Sequence, residues 1–189
     1  MDSCFNIYMS GVGGQGIGLL AELLGRAADH AGLALRGCDT HGLAQRGGMV
    51  SSHLRLGRTR SPLVSEGGAD LVVSLERTEA LRAACTMLKT GGTLVWYDAA
   101  WQALDVRVGE NPAVTEQDVR SAAAAKGAKA FRVLRDDLPD TRMQNVAVVA
   151  EILRRGLIPG LGLEYAKAAL ADLMSGDALA ANIALLSME

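Results

Sequence analysis

Two short stretches of this chain gather the residue types that bind anions. The first is Gly11-Val12-Gly13-Gly14-Gln15-Gly16, between the apolar run Phe5–Ser10 and a helical pattern. Glycine at positions 1, 3 and 6 of such a turn is the dinucleotide fingerprint: it permits the tight turn, a close backbone approach and helix-on-strand packing. The N–H groups that open the following helix lack carbonyl partners and sit at the positive end of its dipole, so an anion is favoured there. The second stretch is Asp39-Thr40-His41-Gly42-Leu43-Ala44-Gln45-Arg46-Gly47-Gly48. His41, Gln45 and Arg46 bring donors and acceptors, and an arginine forks onto a phosphate or carboxylate. The candidate binding residues are therefore Gly11, Gly13, Gly14, Gln15 and Gly16 of the turn and His41, Gln45 and Arg46 of the loop.

Three readings of the turn stand open: a phosphate or other anion, a nicotinamide dinucleotide, or only a tight strand-to-helix connection. The dinucleotide reading asks for an acidic residue roughly 20 positions on, at the end of a second strand, to hold the ribose. Asp39 falls near that place. Catalytic groups are harder to find. No serine or cysteine sits in a nucleophile elbow, and His41 and His53 are not at metal-ligand spacing on one element, so neither a catalytic residue nor a metal site is expected here.

The elements that must position these residues follow from periodicity. Phe5–Ser10 reads as a strand, Ile17–Ala31 as a helix, and Leu33–Cys38 as a second strand. Met49–Leu56 alternates, with Val50, Ser52, Leu54 and Leu56 on one face and Ser51, His53 and Arg55 on the other. If that strand faces the same cleft, its second row adds polar groups to the site. Ala69–Leu75 reads as a strand buried on both faces, Glu76–Leu88 as a helix stopped by Gly91-Gly92, and Thr93–Tyr97 as a strand. Residues 98–114 are irregular, and Thr115 with Asp118 opens a helix by a capping box. Ala130–Leu134 is the last strand; helices over Met143–Arg155, Leu163–Met174 and Asp177–Ser187 close the chain. Strands alternating with helices predict an α/β, Rossmann-like fold: a mostly parallel sheet with helices on both faces, and an antiparallel insertion or edge strand near 49–56. One domain over residues 1–189 is expected at this length.

Composition narrows the function. Hydrophobic residues make up 49% but aromatics only 4%, so small aliphatic side chains must fill the core. The net charge of −2 gives no global basic field for nucleic acid. No stretch reaches the ~18 apolar residues of a membrane span, and the start lacks the basic and apolar regions of a signal peptide, so the cytoplasm is the expected address. Cys4, Cys38 and Cys85 are odd in number and widely spaced, without the four-thiolate set of a zinc or iron–sulfur site. Any electron-carrying centre is expected on another chain.

Taken together, Gly11–Gly16, Thr40-His-Gly-Leu-Ala-Gln-Arg-Gly-Gly48 and Ser51-Ser-His-Leu-Arg55 resemble the gamma-type subunit of 2-oxoacid:ferredoxin oxidoreductases. Ser61–Asp70 leading to Leu75-Glu76, and Asn145 after Asp140, extend the resemblance. Within that family, length and stand-alone form are closest to the indolepyruvate type. The resemblance implies a reaction in which a 2-oxoacid and coenzyme A give an acyl-CoA and carbon dioxide, with two electrons passed to ferredoxin. It implies thiamine diphosphate and iron–sulfur clusters on a large partner subunit, coenzyme A as co-substrate, and a role for this chain in shaping the cleft and the subunit interface. A stand-alone NAD(P)-binding oxidoreductase and a non-catalytic scaffold with a nucleotide fold are the alternatives.

Overall fold

The computed structural model describes residues 4–41, 48–101 and 112–187. Its sheet is built from β1 (Phe5–Val12), β2 (Leu35–His41), β3 (Met49–Leu56), β4 (Ala69–Ser74), β5 (Leu88–Tyr97) and β6 (Lys129–Val133). The helices are α1 (Ile17–His30), α2 (Arg77–Thr86), α3 (Glu116–Ala125), α4 (Gln144–Arg154), α5 (Leu163–Leu173) and α6 (Gly176–Ser187), with a short 3-10 turn over Thr141–Met143 leading into α4.

The strand order is β2-β3-β1-β4-β5-β6. β1, β4, β5 and β6 pair in parallel. β3 is antiparallel to both β1 and β2, so β2 points the same way as β1. The antiparallel strand expected over 49–56 is present, and it lies one strand in from the edge. The α1 crossover from β1 leaves a slot, and the chain returns from β2 through β3 to fill it.

Both faces of the sheet are covered. Alternate residues along β4 divide between two cores: Leu71 and Val73 pack with α1, α4, α5 and α6, whereas Val72 packs with α2 and α3. That explains the apolar stretch Leu71-Val72-Val73, all three of which are inside. The second core is lined by Ala80, Ala83, Ala84 and Ala123 against Trp96, so small helix residues make room for one large ring. Thr115 and Asp118 form the expected capping box at the start of α3.

Several boundaries differ from the sequence pattern: β1 continues to Val12 and β2 spans Leu35–His41, so Gly11 and Asp39–His41 belong to strands rather than to the turn and loop. Helix α2 ends at Thr86, and β5 begins at Leu88, ahead of Gly91-Gly92. Leu88 is fully buried and pairs with Ala69, so burial draws it into the strand. The two glycines turn the chain within β5, and regular pairing resumes at Leu71 with Thr93.

Candidate functional site

The fold places the glycine turn at the carboxyl ends of the strands. β1 ends at Val12, and Gly16 takes a left-handed conformation (φ 85°) to start α1. From β1 the chain runs to β2 and β3 on one side, and β4 lies on the other, so the turn sits at the point where strand order reverses. Ligands of open α/β sheets bind in that crevice. Here the side chain of Gln15 bridges it. The Val12 N–H donates to Gln15 Oε1 (2.8 Å), and Gln15 Nε2 donates to the Leu75 carbonyl (3.0 Å). Below this bridge Ser10 and Ser74 share a hydroxyl hydrogen bond of 2.8 Å, and the Leu75 N–H donates to the Ser10 carbonyl. Both ends of the Gln15 amide are thus engaged within the chain, which makes it a former of the turn.

The second stretch arrives at the same place. Val12 pairs with Met49 and His41 with Val50, so the connection from β2 to β3 opens beside the turn. The Gly13 N–H donates to the Gly48 carbonyl at 2.9 Å and ties the two together. His41 ends β2; Gln45 and Arg46 lie outside the described residues. The start of α4 completes the surround. Gln144 Nε2 donates to the Gln15 carbonyl (3.3 Å). Asn145, 1% exposed, accepts from the Val146 N–H. Its Nδ2 finds no partner among the described residues and lies 3.1 Å from where a Gly16 Cβ would be. A glycine at 16 is therefore required by conformation and by this neighbour.

Beside the turn is a cleft of about 400 Å³ whose walls include Gly13, Gly14, Tyr97, Trp101, Thr141 and Arg142. The first turn of α1, from Ile17 to Leu19, has N–H groups that no helical carbonyl reaches. On the rim, hydrogen bonds from Arg142 hold the Asp140 carboxyl down at about 2, so Asp140 stays ionised and balances that arginine. Behind the cleft, Asp98 joins Arg77 and Arg132 at 2.6 and 2.5 Å. Burial raises the Asp98 pKa, but the hydrogen bonds from the two arginines outweigh it and hold the carboxyl below its ordinary value. Among the described residues, no three His, Cys, Asp or Glu side chains form a metal-holding group.

One condition and one alternative left by the sequence are not met. The row Ser51, His53 and Arg55 does not line this cleft; His53 and Arg55 are engaged by the connection after β3. His53 Nδ1 accepts from the Val64 N–H (3.1 Å), and its ring stands edge-on to Tyr8. Burial lowers its pKa. Arg55 donates to Asn6 Oδ1 and to the carbonyls of Ser61 and Leu63. Asp39 does not stand where a ribose would. With β3 inserted, β2 is two strand spacings from β1, roughly 10 Å rather than roughly 5 Å, and Asp39 Oδ1 accepts from Ser52 Oγ instead. Residues the sequence did not single out are Gln144, Trp101 and the Arg77–Asp98–Arg132 group, because each reaches the site only through long-range packing. Asp140, which caps the Thr141–Met143 turn, was the one local sign that a helix start was aimed there.

The model of the family described as pyruvate ferredoxin/flavodoxin oxidoreductase matches residues 6–188. The chain is 35% identical to the indolepyruvate oxidoreductase subunit IorB of Archaeoglobus fulgidus, covering 97% of this chain and 92% of that one. It is 46% identical to the subunit of the same name from Thermococcus kodakarensis over 47% of this chain and 44% of that one. Among solved structures, the keto/oxoacid ferredoxin oxidoreductase gamma subunit of Geobacter sulfurreducens superposes with a TM-score of 0.66 at 19% identity, covering 98% and 94% of the two chains. The 2-oxoglutarate:ferredoxin oxidoreductase of Magnetococcus marinus, solved with 2-oxoglutarate, coenzyme A and succinyl-CoA bound, gives 0.70 at 16% identity, covering 98% of this chain and 30% of that one. The two structural matches establish the fold alone.

Proposed function

From the premise that this chain belongs to the pyruvate ferredoxin/flavodoxin oxidoreductase family, we propose how it serves the reaction. It is a subunit of a 2-oxoacid:ferredoxin oxidoreductase of the indolepyruvate type. In our reading the complex converts an aryl pyruvate and coenzyme A to the acyl-CoA and carbon dioxide and passes two electrons to ferredoxin in the cytoplasm. Thiamine diphosphate and iron–sulfur clusters, held by the large partner subunit, supply the decarboxylation and electron-transfer chemistry. Residues 1–189 act as one gamma-type domain.

The contribution of this chain is an edge that closes the cleft. The single observation that carries this reading is the bond from the Gly13 N–H to the Gly48 carbonyl. It joins the anion-accepting turn to the loop of His41, Gln45 and Arg46 at the open end of the sheet. Gly14, Gly16 and the opening N–H groups of α1 would hold a phosphate of coenzyme A, with Arg46 as the charged partner, while Gly13, its N–H engaged by Gly48, lets the backbone come close. Gly11 and Gln15 shape the turn. Seating this edge against the large subunit excludes water from a reactive intermediate. None of these residues is assigned a proton.

The test is steady-state kinetics of the complex reconstituted with the large subunit. Arg46→Ala and Gly14→Ala are expected to raise the KM for coenzyme A severalfold while leaving that for the 2-oxoacid unchanged. Gly14 is suited to this because an added Cβ meets nothing within 4 Å, so the change acts through its positive φ alone. An intact complex with an unaltered coenzyme A KM in both variants would overturn the assignment.

A further inference from the structure

We propose that Trp101 is the stacking platform for the adenine ring of the coenzyme A seated in this cleft, an assignment that rests on the reading of the turn as a coenzyme A edge. Four large apolar side chains are exposed among the described residues: Met49, Leu63, Leu134 and Trp101. Trp101 is the most exposed, at 59%, and the one aromatic among them. It lines the cleft together with Gly13, Gly14 and Arg142. An indole left in water at the mouth of a pocket is a large apolar surface in want of a partner.

The backbone under the indole is fixed. The Trp101 N–H donates to Glu76 Oε1 at 3.1 Å, and Glu76 is 1% exposed. The other oxygen of Glu76 caps α2 through the Glu79 N–H at 2.9 Å, and the Arg77 N–H donates to the Ala99 carbonyl. The segment carrying Trp101 is thus clamped to the start of α2, and the ring projects from a rigid base. One cleft therefore presents an exposed indole and, with it, the backbone of Gly13 and Gly14 in the turn that leads into α1. A planar ring that also bears phosphates matches both, and the adenosine end of coenzyme A has that chemistry. Base stacking on an aromatic side chain changes affinity by roughly 5- to 100-fold on removal to alanine.

The experiment uses the reconstituted complex. Trp101→Ala is expected to raise the KM for coenzyme A by roughly 5- to 100-fold, and Trp101→Phe to restore most of it. The KM for pantetheine, which lacks the adenosine end, is expected to be unchanged. A second readout is fluorescence: adenosine 3′,5′-bisphosphate should quench a component of wild-type emission that is missing from the Trp101→Phe complex. The assignment is overturned if coenzyme A and pantetheine lose equally, if only the 2-oxoacid KM rises, or if neither variant co-purifies with the large subunit, which would make Trp101 an interface anchor. Failure of the stacking assignment is distinct from failure of the underlying reading. In the first case Arg46→Ala and Gly14→Ala still raise the coenzyme A KM; in the second they do not.

Discussion

Replacing Gln15 with methionine tests whether the glutamine of the turn is a bridge or a ligand group. Methionine preserves volume and removes both hydrogen bonds, leaving the Val12 N–H and the Leu75 carbonyl without their partner. Val12 is 7% exposed and Leu75 is fully buried, so water reaches neither group freely. An orphaned buried group costs about 1–3 kcal/mol; two of them, with some local relaxation, give roughly 2–4 kcal/mol. That is a large part of the ~5–15 kcal/mol that holds a domain together. At about 2–4 °C per kcal/mol for this size, the melting temperature should fall by roughly 4–16 °C. The assay is thermal unfolding followed by circular dichroism, paired with the coenzyme A KM of the reconstituted complex. A fall below about 1 °C together with a raised KM would refute the bridge and return Gln15 to the ligand.

Three further changes probe the frame around the turn. Gly16→Ala puts a side chain at a φ of +85°, 3.1 Å from Asn145 Nδ2. The strain of about 1–2 kcal/mol should lower the melting temperature, and in an Asn145→Ala background the crowding part of the cost should vanish from the double-mutant cycle. Asp98→Asn leaves Arg77 and Arg132 without their buried carboxylate and should cost roughly 3 kcal/mol at neutral pH. The Asp98 pKa is held low in the fold, so its contribution is fully present above about pH 4 and is lost as pH falls through the depressed folded value. Urea midpoints measured between about pH 3 and 7 should therefore converge for wild type and variant at the acid end. His53 has the opposite charge and the same sign of dependence. Burial lowers its folded pKa below 6.5, so below that pH the unfolded chain takes up a proton that the fold refuses. Acidification should therefore destabilise wild type more steeply than His53→Gln, as read from the slope of urea midpoint against pH.

The parts of this fold legible in the sequence are those fixed locally. The capping box at Thr115 and Asp118 depends on four adjacent residues and forms as expected. The double-sided burial of β4 is written in its consecutive apolar residues Leu71-Val72-Val73. What the pattern did not reveal depends on partners distant in sequence. Ser51, His53 and Arg55 alternate as an exposed polar row would, but the segment through Val64 folds over His53 and Arg55, and their polar atoms bond to it. Nothing within β3 encodes that cover. The role of Gln15 was similarly hidden, since its acceptor carbonyl belongs to Leu75, sixty residues away. Periodicity placed β3 but not its neighbours, because an alternating strand reads alike at an edge and one position in.

That placement of β3 decides what the glycine fingerprint does here. In a dinucleotide fold the second strand lies against the first, and its terminal acid meets the ribose of a nucleotide whose pyrophosphate rests on the turn. In this chain β3 takes the adjacent position and carries Asp39 one strand further out. The Gln15 side chain closes the crevice between β1 and β4. Both features a nicotinamide nucleotide requires are thereby removed, while the positive end of α1 and the glycines remain. The insertion also delivers Gly48 to the Gly13 N–H, so the space a ribose would occupy becomes the anchor of a glycine-rich loop. The turn keeps its glycines and loses the ribose seat, and beside it stands the open cleft lined by Gly13, Gly14 and Trp101. A cleft open on that side is what the proposed role asks of one subunit in a multi-subunit oxidoreductase.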